Sequence, residues 1–86
     1  MKIVWDEPKR LANLDKHGMD FADLNETFFD TAIVLQARRN RYRAIGVNIR
    51  GVISVIFALY GKEAVSVISM RPAGKAEREL YEANRR

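Results

Sequence analysis

Six arginines have the spacing most suggestive of chemistry. Arg38, Arg39, Arg41, Arg43 and Arg50 fall within residues 38–50, which contain no acid, and Arg71 closes an apolar run just before Pro72. A guanidinium presents a planar fork that matches two phosphate oxygens. A one-sided basic run of this kind is the electrostatic footprint of a polyanion-binding face. Lys16 and His17 stand side by side before Gly18, and imidazole is the usual proton carrier near neutral pH. The same position suits a cation that merely caps a helix end. Glu77 and Tyr81 complete the set of groups able to move or hold a proton.

Much chemistry is excluded. There is no cysteine, so a disulfide framework, a thiolate zinc site and a cysteine nucleophile are out. One histidine cannot make a multi-histidine metal centre. Ser54, Ser66 and Ser69 lie in strand-like runs with no nucleophile elbow around them. Neither a P-loop nor a dinucleotide fingerprint occurs. The acid pairs Asp20 with Asp23 and Glu79 with Glu82 read as capping and solvated-face residues. One reaction runs on what remains without metal or cofactor: RNA cleavage by the substrate's own 2′-hydroxyl. The protein then has only to orient the RNA, stabilise charge at phosphorus and move protons.

The chain has 86 residues and a formal net charge of +4. That length predicts a single domain, 1–86, burying only about 60–65% of its unfolded surface. The charge is divided. Residues 1–30 hold four bases and seven acids, giving −3; residues 31–86 hold eleven bases and four acids, giving +7. The amino end turns charged too early for a signal peptide, and the longest apolar stretch, Val52 to Tyr60, is far short of the roughly 20 residues of a membrane span. A cytoplasmic protein without membrane association is expected. No internal repeat, low-complexity segment or linker stands out.

The elements that must position these groups follow from periodicity. Ile3–Trp5 predicts a short strand. Asp6 predicts a helix N-cap with Glu7 and Pro8 in the first turn, Leu11 and Leu14 as an apolar stripe, and Gly18 as the left-handed stop. Asp20 predicts the cap of a second helix, with Phe21, Leu24 and Phe28 on one face, ending near Phe29-Asp30. Ala32–Gln36, Tyr42–Asn48, Val52–Leu59 and Ala64–Met70 predict a four-stranded antiparallel meander, with Val52–Phe57 central. A last helix is expected from Ala73, lined by Ala73, Ala76, Leu80 and Ala83, with Arg78 and Glu82 paired on another face. The fold class is therefore α+β: short N-terminal strand, two helices, meander, C-terminal helix. The helices are expected on one face, leaving the basic strand residues on the open one.

Three strings together resemble the BrnT family, small toxins of bacterial type II toxin–antitoxin pairs. Trp5-Asp6-Glu7-Pro8-Lys9, with Asn13, Lys16-His17-Gly18 and Phe21, resembles its opening. Arg41-Tyr42-Arg43-Ala44-Ile45-Gly46 is similar to its central strand. Ile68-Ser69-Met70-Arg71-Pro72-Ala73, with Glu77-Arg78 and Tyr81-Glu82, is similar to its C-terminal signature. The resemblance covers nearly the whole chain, in order. It implies a RelE-like fold, metal-independent ribonuclease activity, and a BrnA-like ribbon-helix-helix antitoxin with which the toxin would bind operator DNA and repress its own promoter. The matching positions with functional potential are Lys16, His17, Arg43, Arg71, Glu77, Arg78 and Tyr81. There are departures: Arg50-Gly51 reverses the family's usual order, Ser66 replaces an arginine, Pro72 a lysine, and Glu79-Leu80 stands where bases are common.

The combined expectation is an endoribonuclease without cofactor. Arg71 and Arg43 hold the scissile phosphate. Arg38, Arg39, Arg41, Arg50 and Arg78 contact RNA. Either His17 with Lys16 or Glu77 with Tyr81 transfers protons, and the sequence does not decide between the pairs. The alternative is a non-catalytic subunit that supports operator binding by the antitoxin.

Overall fold

In the computed structural model, which describes residues 1–85, the order is β1 (Lys2–Trp5), α1 (Glu7–His17), a 3₁₀ turn (Phe21–Asp23), α2 (Glu26–Thr31), β2 (Ile33–Arg38), β3 (Arg41–Asn48), β4 (Gly51–Tyr60), β5 (Ala64–Pro72) and α3 (Lys75–Asn84). The expected meander β2 to β5 is antiparallel throughout. β1 joins it as a fifth strand, parallel to β5 with Lys2 opposite Ala64, so the sheet order is β1-β5-β4-β3-β2. No described helix is long and apolar enough to cross a membrane.

α1 forms where its caps predict. The Asp6 carboxylate accepts from the Lys9 amide at 3.3 Å, and Gly18, at φ 67°, donates its N–H to Leu14 O at 2.8 Å. Its anchor is not the expected stripe: Leu11 and Leu14 stay exposed, and the buried residue is Asn13. The Asn13 amide donates to Met19 O at 3.1 Å and its carbonyl accepts from the Met70 amide at 3.0 Å, tying the helix to β5.

The expected second helix is broken in two. Asp20 caps only the 3₁₀ turn, and Leu24 is extended. Asn25 then starts a new helix by accepting from the Phe28 amide at 2.8 Å. The break lets Phe21, Leu24, Phe28 and Phe29 all reach the same core, against Ala44, Ile53, Val55, Phe57, Val65, Val67 and Met70. Close approach is possible because β3 carries Gly46 there: a Cβ would lie 2.9 Å from Phe28 Cε1 and 3.0 Å from Ala32 Cβ.

Further expectations about the last helix are corrected. α3 does not share a face with the other helices. It crosses the opposite face, where Ile45 and Tyr81 are buried, because Glu77 reaches the arginines there. It also begins at Lys75 rather than Ala73, and it buries Tyr81 and half-buries Glu77 while Ala76, Leu80 and Ala83 remain exposed. Arg78 donates to Ala73 O at 2.9 Å instead of pairing with Glu82, which meets Arg85.

A β-bulge sets the second face. Phe57 lies opposite Val67 but Ile56 lies opposite Ser69, so Ile68 is an extra residue in β5. Val67 and Met70 therefore both point into the core, and Ser69 and Arg71 turn outward together.

Candidate functional site

On the α3 side of the sheet, three adjacent strands and one helix deliver four side chains to one point. Arg43 comes from β3, Ser54 from β4, Arg71 from β5 and Glu77 from the first turn of α3. Ser54 stands directly opposite both Ile45 and Arg71, while Arg43 stands opposite Ile56, one diagonal step away. Diagonal neighbours lie about 7–8 Å apart at Cα, within reach of an arginine side chain.

Glu77 is the hub. Arg71 grips it bidentately, Nη1 donating to Oε1 at 2.8 Å and Nη2 to Oε2 at 2.9 Å. The Gly74 amide donates to Oε1 at 2.9 Å, which closes the N-terminal turn of α3. Arg43 Nη1 lies 3.4 Å from Oε2 and also donates to the Ser54 hydroxyl, which in turn lies 3.5 Å from Oε2. The hydrogen bonds from Arg71 are the main reason the Glu77 carboxyl falls from 4.5 to about 2, reinforced by the Gly74 amide and opposed by burial. The Arg71 guanidinium is correspondingly held above its usual range, chiefly by Glu77. Two cations against one carboxylate leave a net positive charge. The arginines still face solvent, with 29% of the Arg43 and 37% of the Arg71 side chain exposed against 19% for Glu77.

His17 and Lys16 lie beside this cluster rather than in it. With Lys9, Asn13, Ile68 and Ser69 they line a groove of about 260 Å³ between the end of α1 and β5. Ser69 precedes Arg71 by two residues on the same strand face, a separation of about 7 Å. Among the described residues neither His17 nor Lys16 shares a hydrogen bond or ion pair with Arg43, Arg71 or Glu77.

The other sequence candidates are dispersed. Arg38, Arg39 and Arg41 cluster at the β2–β3 turn around a groove of about 400 Å³. That turn is built by Asn40 at φ 48°, whose side chain also bonds both backbone groups of Leu59. Arg50 is exposed at the turn before β4, with its amide on Asn48 Oδ1. Tyr81 is buried beneath α3, beside Ile33 and Thr31, and among the described residues it shares no hydrogen bond with the Glu77 carboxylate. The opening Trp5-Asp6-Glu7 string is taken up by a structural clamp. Trp5 Nε1 and Arg10 both donate to Glu7, and Arg10 also reaches Asp20 at 3.0 Å, joining β1, α1 and the 3₁₀ turn. Arg10, followed by Trp5, draws the Glu7 carboxyl down to about 2.

Ser54 is the site residue that sequence reasoning passed over. Its signal in the sequence is that it is the one polar residue in Val52–Phe57, a position where a hydroxyl needs a partner. Among the described residues no three His, Cys, Asp or Glu side chains come together as a metal site.

Residues 5–77 match the family described as ribonuclease toxin, BrnT, of type II toxin-antitoxin system. Among solved structures, the crystal structure of the Brucella abortus ribonuclease toxin BrnT superposes with a TM-score of 0.82 at 53% sequence identity, covering 87% of this chain and 99% of that one. A search of curated proteins gave no match.

Proposed function

The chain belongs to the BrnT family of ribonuclease toxins of type II toxin–antitoxin systems, and on that premise we propose that it cleaves RNA without a metal ion, by attack of the 2′-hydroxyl, at the Arg43–Arg71 pair. The carrying observation is that two guanidiniums from strands on either side of β4 converge on one carboxylate while keeping exposed edges. Arg71 commits Nη1 to Glu77 and to the Pro72 carbonyl and one hydrogen of Nη2 to Glu77, while Arg43 commits only Nη1, to Ser54 and Glu77. In this reading the remaining N–H groups, Nε and one Nη2 hydrogen of Arg71 and Nε and Nη2 of Arg43, meet the phosphate.

In the proposed step the 2′-oxygen bonds to phosphorus and the bond from phosphorus to the 5′-oxygen breaks. Two protons move: one leaves the 2′-hydroxyl, and one reaches the departing 5′-oxygen. The products are a 2′,3′-cyclic phosphate and a 5′-hydroxyl. Charge gathers on the phosphoryl oxygens in the transition state, where pre-placed guanidiniums are most effective. Glu77 orders them. A carboxyl drawn down to about 2 carries no proton to give at neutral pH and is a poor base, which disfavours Glu77 with Tyr81 as the proton-transfer pair. His17 and Lys16, in the groove that opens beside Ser69, take that role. Arg38, Arg39 and Arg41 continue the basic track, and Arg50 and Arg78 flank it.

The test is cleavage of a single-stranded RNA by the purified chain in excess EDTA, with the product ends identified. Cyclic phosphate termini formed at the untreated rate support the reading. Loss of cleavage in EDTA, or 3′-hydroxyl ends, overturns it.

A type II toxin works against an antitoxin. We propose that this partner is a BrnA-like ribbon-helix-helix protein that carries the toxin onto operator DNA. A neighbouring reading frame for such a protein, and a gel shift of its promoter by the pair, would test this; a toxin that never co-purifies with that product refutes it.

A further inference from the structure

We propose that Ser54 is a positioning residue of the reaction: its hydroxyl fixes the Arg43 guanidinium against Glu77, and so sets the separation of the two guanidiniums that receive the phosphate. The proposal rests on the reading of Arg43 and Arg71 as phosphate ligands.

Ser54 is 1% exposed at the centre of the sheet, in a strand whose neighbours are Val52, Ile53, Val55 and Ile56. An alanine or valine would fill that place without a polar group to satisfy. A buried hydroxyl is tolerated because it has partners, and among the described residues these are Arg43 and Glu77. The hydroxyl offers one hydrogen and two lone pairs. Arginine can only donate, so the Ser54 oxygen accepts from Arg43 and its hydrogen is directed to Glu77. The order Arg43 to Ser54 to Glu77 is thereby set.

The two arginines differ in how they are held. Arg71 grips Glu77 with two short parallel bonds, is held again by the Pro72 carbonyl at 3.1 Å, and does not depend on Ser54. Arg43 reaches Glu77 only at 3.4 Å and starts from a diagonal position. Without Ser54 its one remaining partner among the described residues is that longer contact, and its part-exposed side chain can swing toward solvent. Misplacement of a transition-state ligand by about 1 Å costs up to about a hundredfold in rate. Ser54 would thus act on catalysis while touching no substrate.

The experiment is a double-mutant cycle on cleavage of a defined single-stranded RNA, using the full chain with Ser54→Ala, Arg43→Ala, both, and Ser54→Thr. Ser54→Ala should lower kcat about tenfold or more, with KM changed less than about twofold. In the Arg43→Ala background the same change should add nothing, because the group it positions is gone. Ser54→Thr, which keeps the hydroxyl, should restore most of kcat. Thermal midpoints of all variants separate this from unfolding, and Ser54→Ala should melt at or above the parent. If Ser54→Thr melts lower, the cycle alone decides. A wild-type kcat for Ser54→Ala, or an equal loss with and without Arg43, overturns the proposal while the phosphate reading stands. Wild-type cleavage by Arg43→Ala removes the phosphate reading, and this proposal with it.

Discussion

Replacing Glu77 by glutamine should destabilise the protein at neutral pH, and the loss should fade in acid. Glutamine keeps the shape and one acceptor oxygen but removes the charge shared by Arg71 and Arg43. The fall of the Glu77 carboxyl from 4.5 to about 2 corresponds to at most about 3 kcal/mol. Arg71 is exposed over more than a third of its side chain, so solvent screening reduces this to about 1–2 kcal/mol. In a domain of this size that is about 4–16 °C in thermal midpoint. The sign follows from the direction of the shift. A carboxyl depressed on folding adds stability above its unfolded value of 4.5 and loses it as pH falls toward 2. The difference between parent and Glu77→Gln should therefore be full at pH 7 and less than half as large by about pH 3. Glu7 and Asp20 are also depressed, but they share no partner with Glu77 and cancel in the comparison. Urea unfolding of both chains between pH 7 and pH 3 gives the measurement. A difference that stays constant across that range, or is absent at pH 7, refutes the argument.

Other substitutions separate catalysis from folding. Arg71→Lys replaces a fork by a point charge that cannot hold both Glu77 oxygens and a phosphate, and should lower kcat/KM at least about tenfold in RNA cleavage. Gly46→Ala drives a methyl into Phe28 and Ala32; it should cost about 1–3 kcal/mol in denaturant unfolding and leave cleavage per folded molecule unchanged. Asn13→Ala orphans the Met70 amide and the Met19 carbonyl; about 2–3 kcal/mol of stability should be lost, with early hydrogen exchange at Met70. Neutralising Arg38, Arg39 and Arg41 together should flatten the salt dependence of single-stranded RNA binding by about 2 in log–log slope, if all three contact phosphate; an unchanged slope would remove this turn from the RNA track.

Local signals were legible and long-range ones were not. Asp6 and Gly18 bound α1 because caps act within a turn of their own residue. The meander was readable because its connections are too short for anything but hairpins. The second helix was misread because Phe21, Leu24 and Phe28 keep helical spacing across a break; Asn25 signals a new start only once its side chain is seen on the Phe28 amide. The place of α3 was hidden for a different reason. Apolar periodicity selects Ala76, Leu80 and Ala83, yet the sheet turns two arginines toward the helix, so the inward residues are Glu77 and Tyr81. Arg71 makes the point most sharply. Counting alternate residues from Val65 and Val67 places it in the hydrophobic core, where an arginine could not stay. The extra residue Ile68 reverses that parity and delivers Arg71 to the face of Arg43 and Ser54. The convergence of the guanidiniums thus depends on a bulge that periodicity cannot reveal, since a strand of strict period two would have kept them on opposite sides of the sheet.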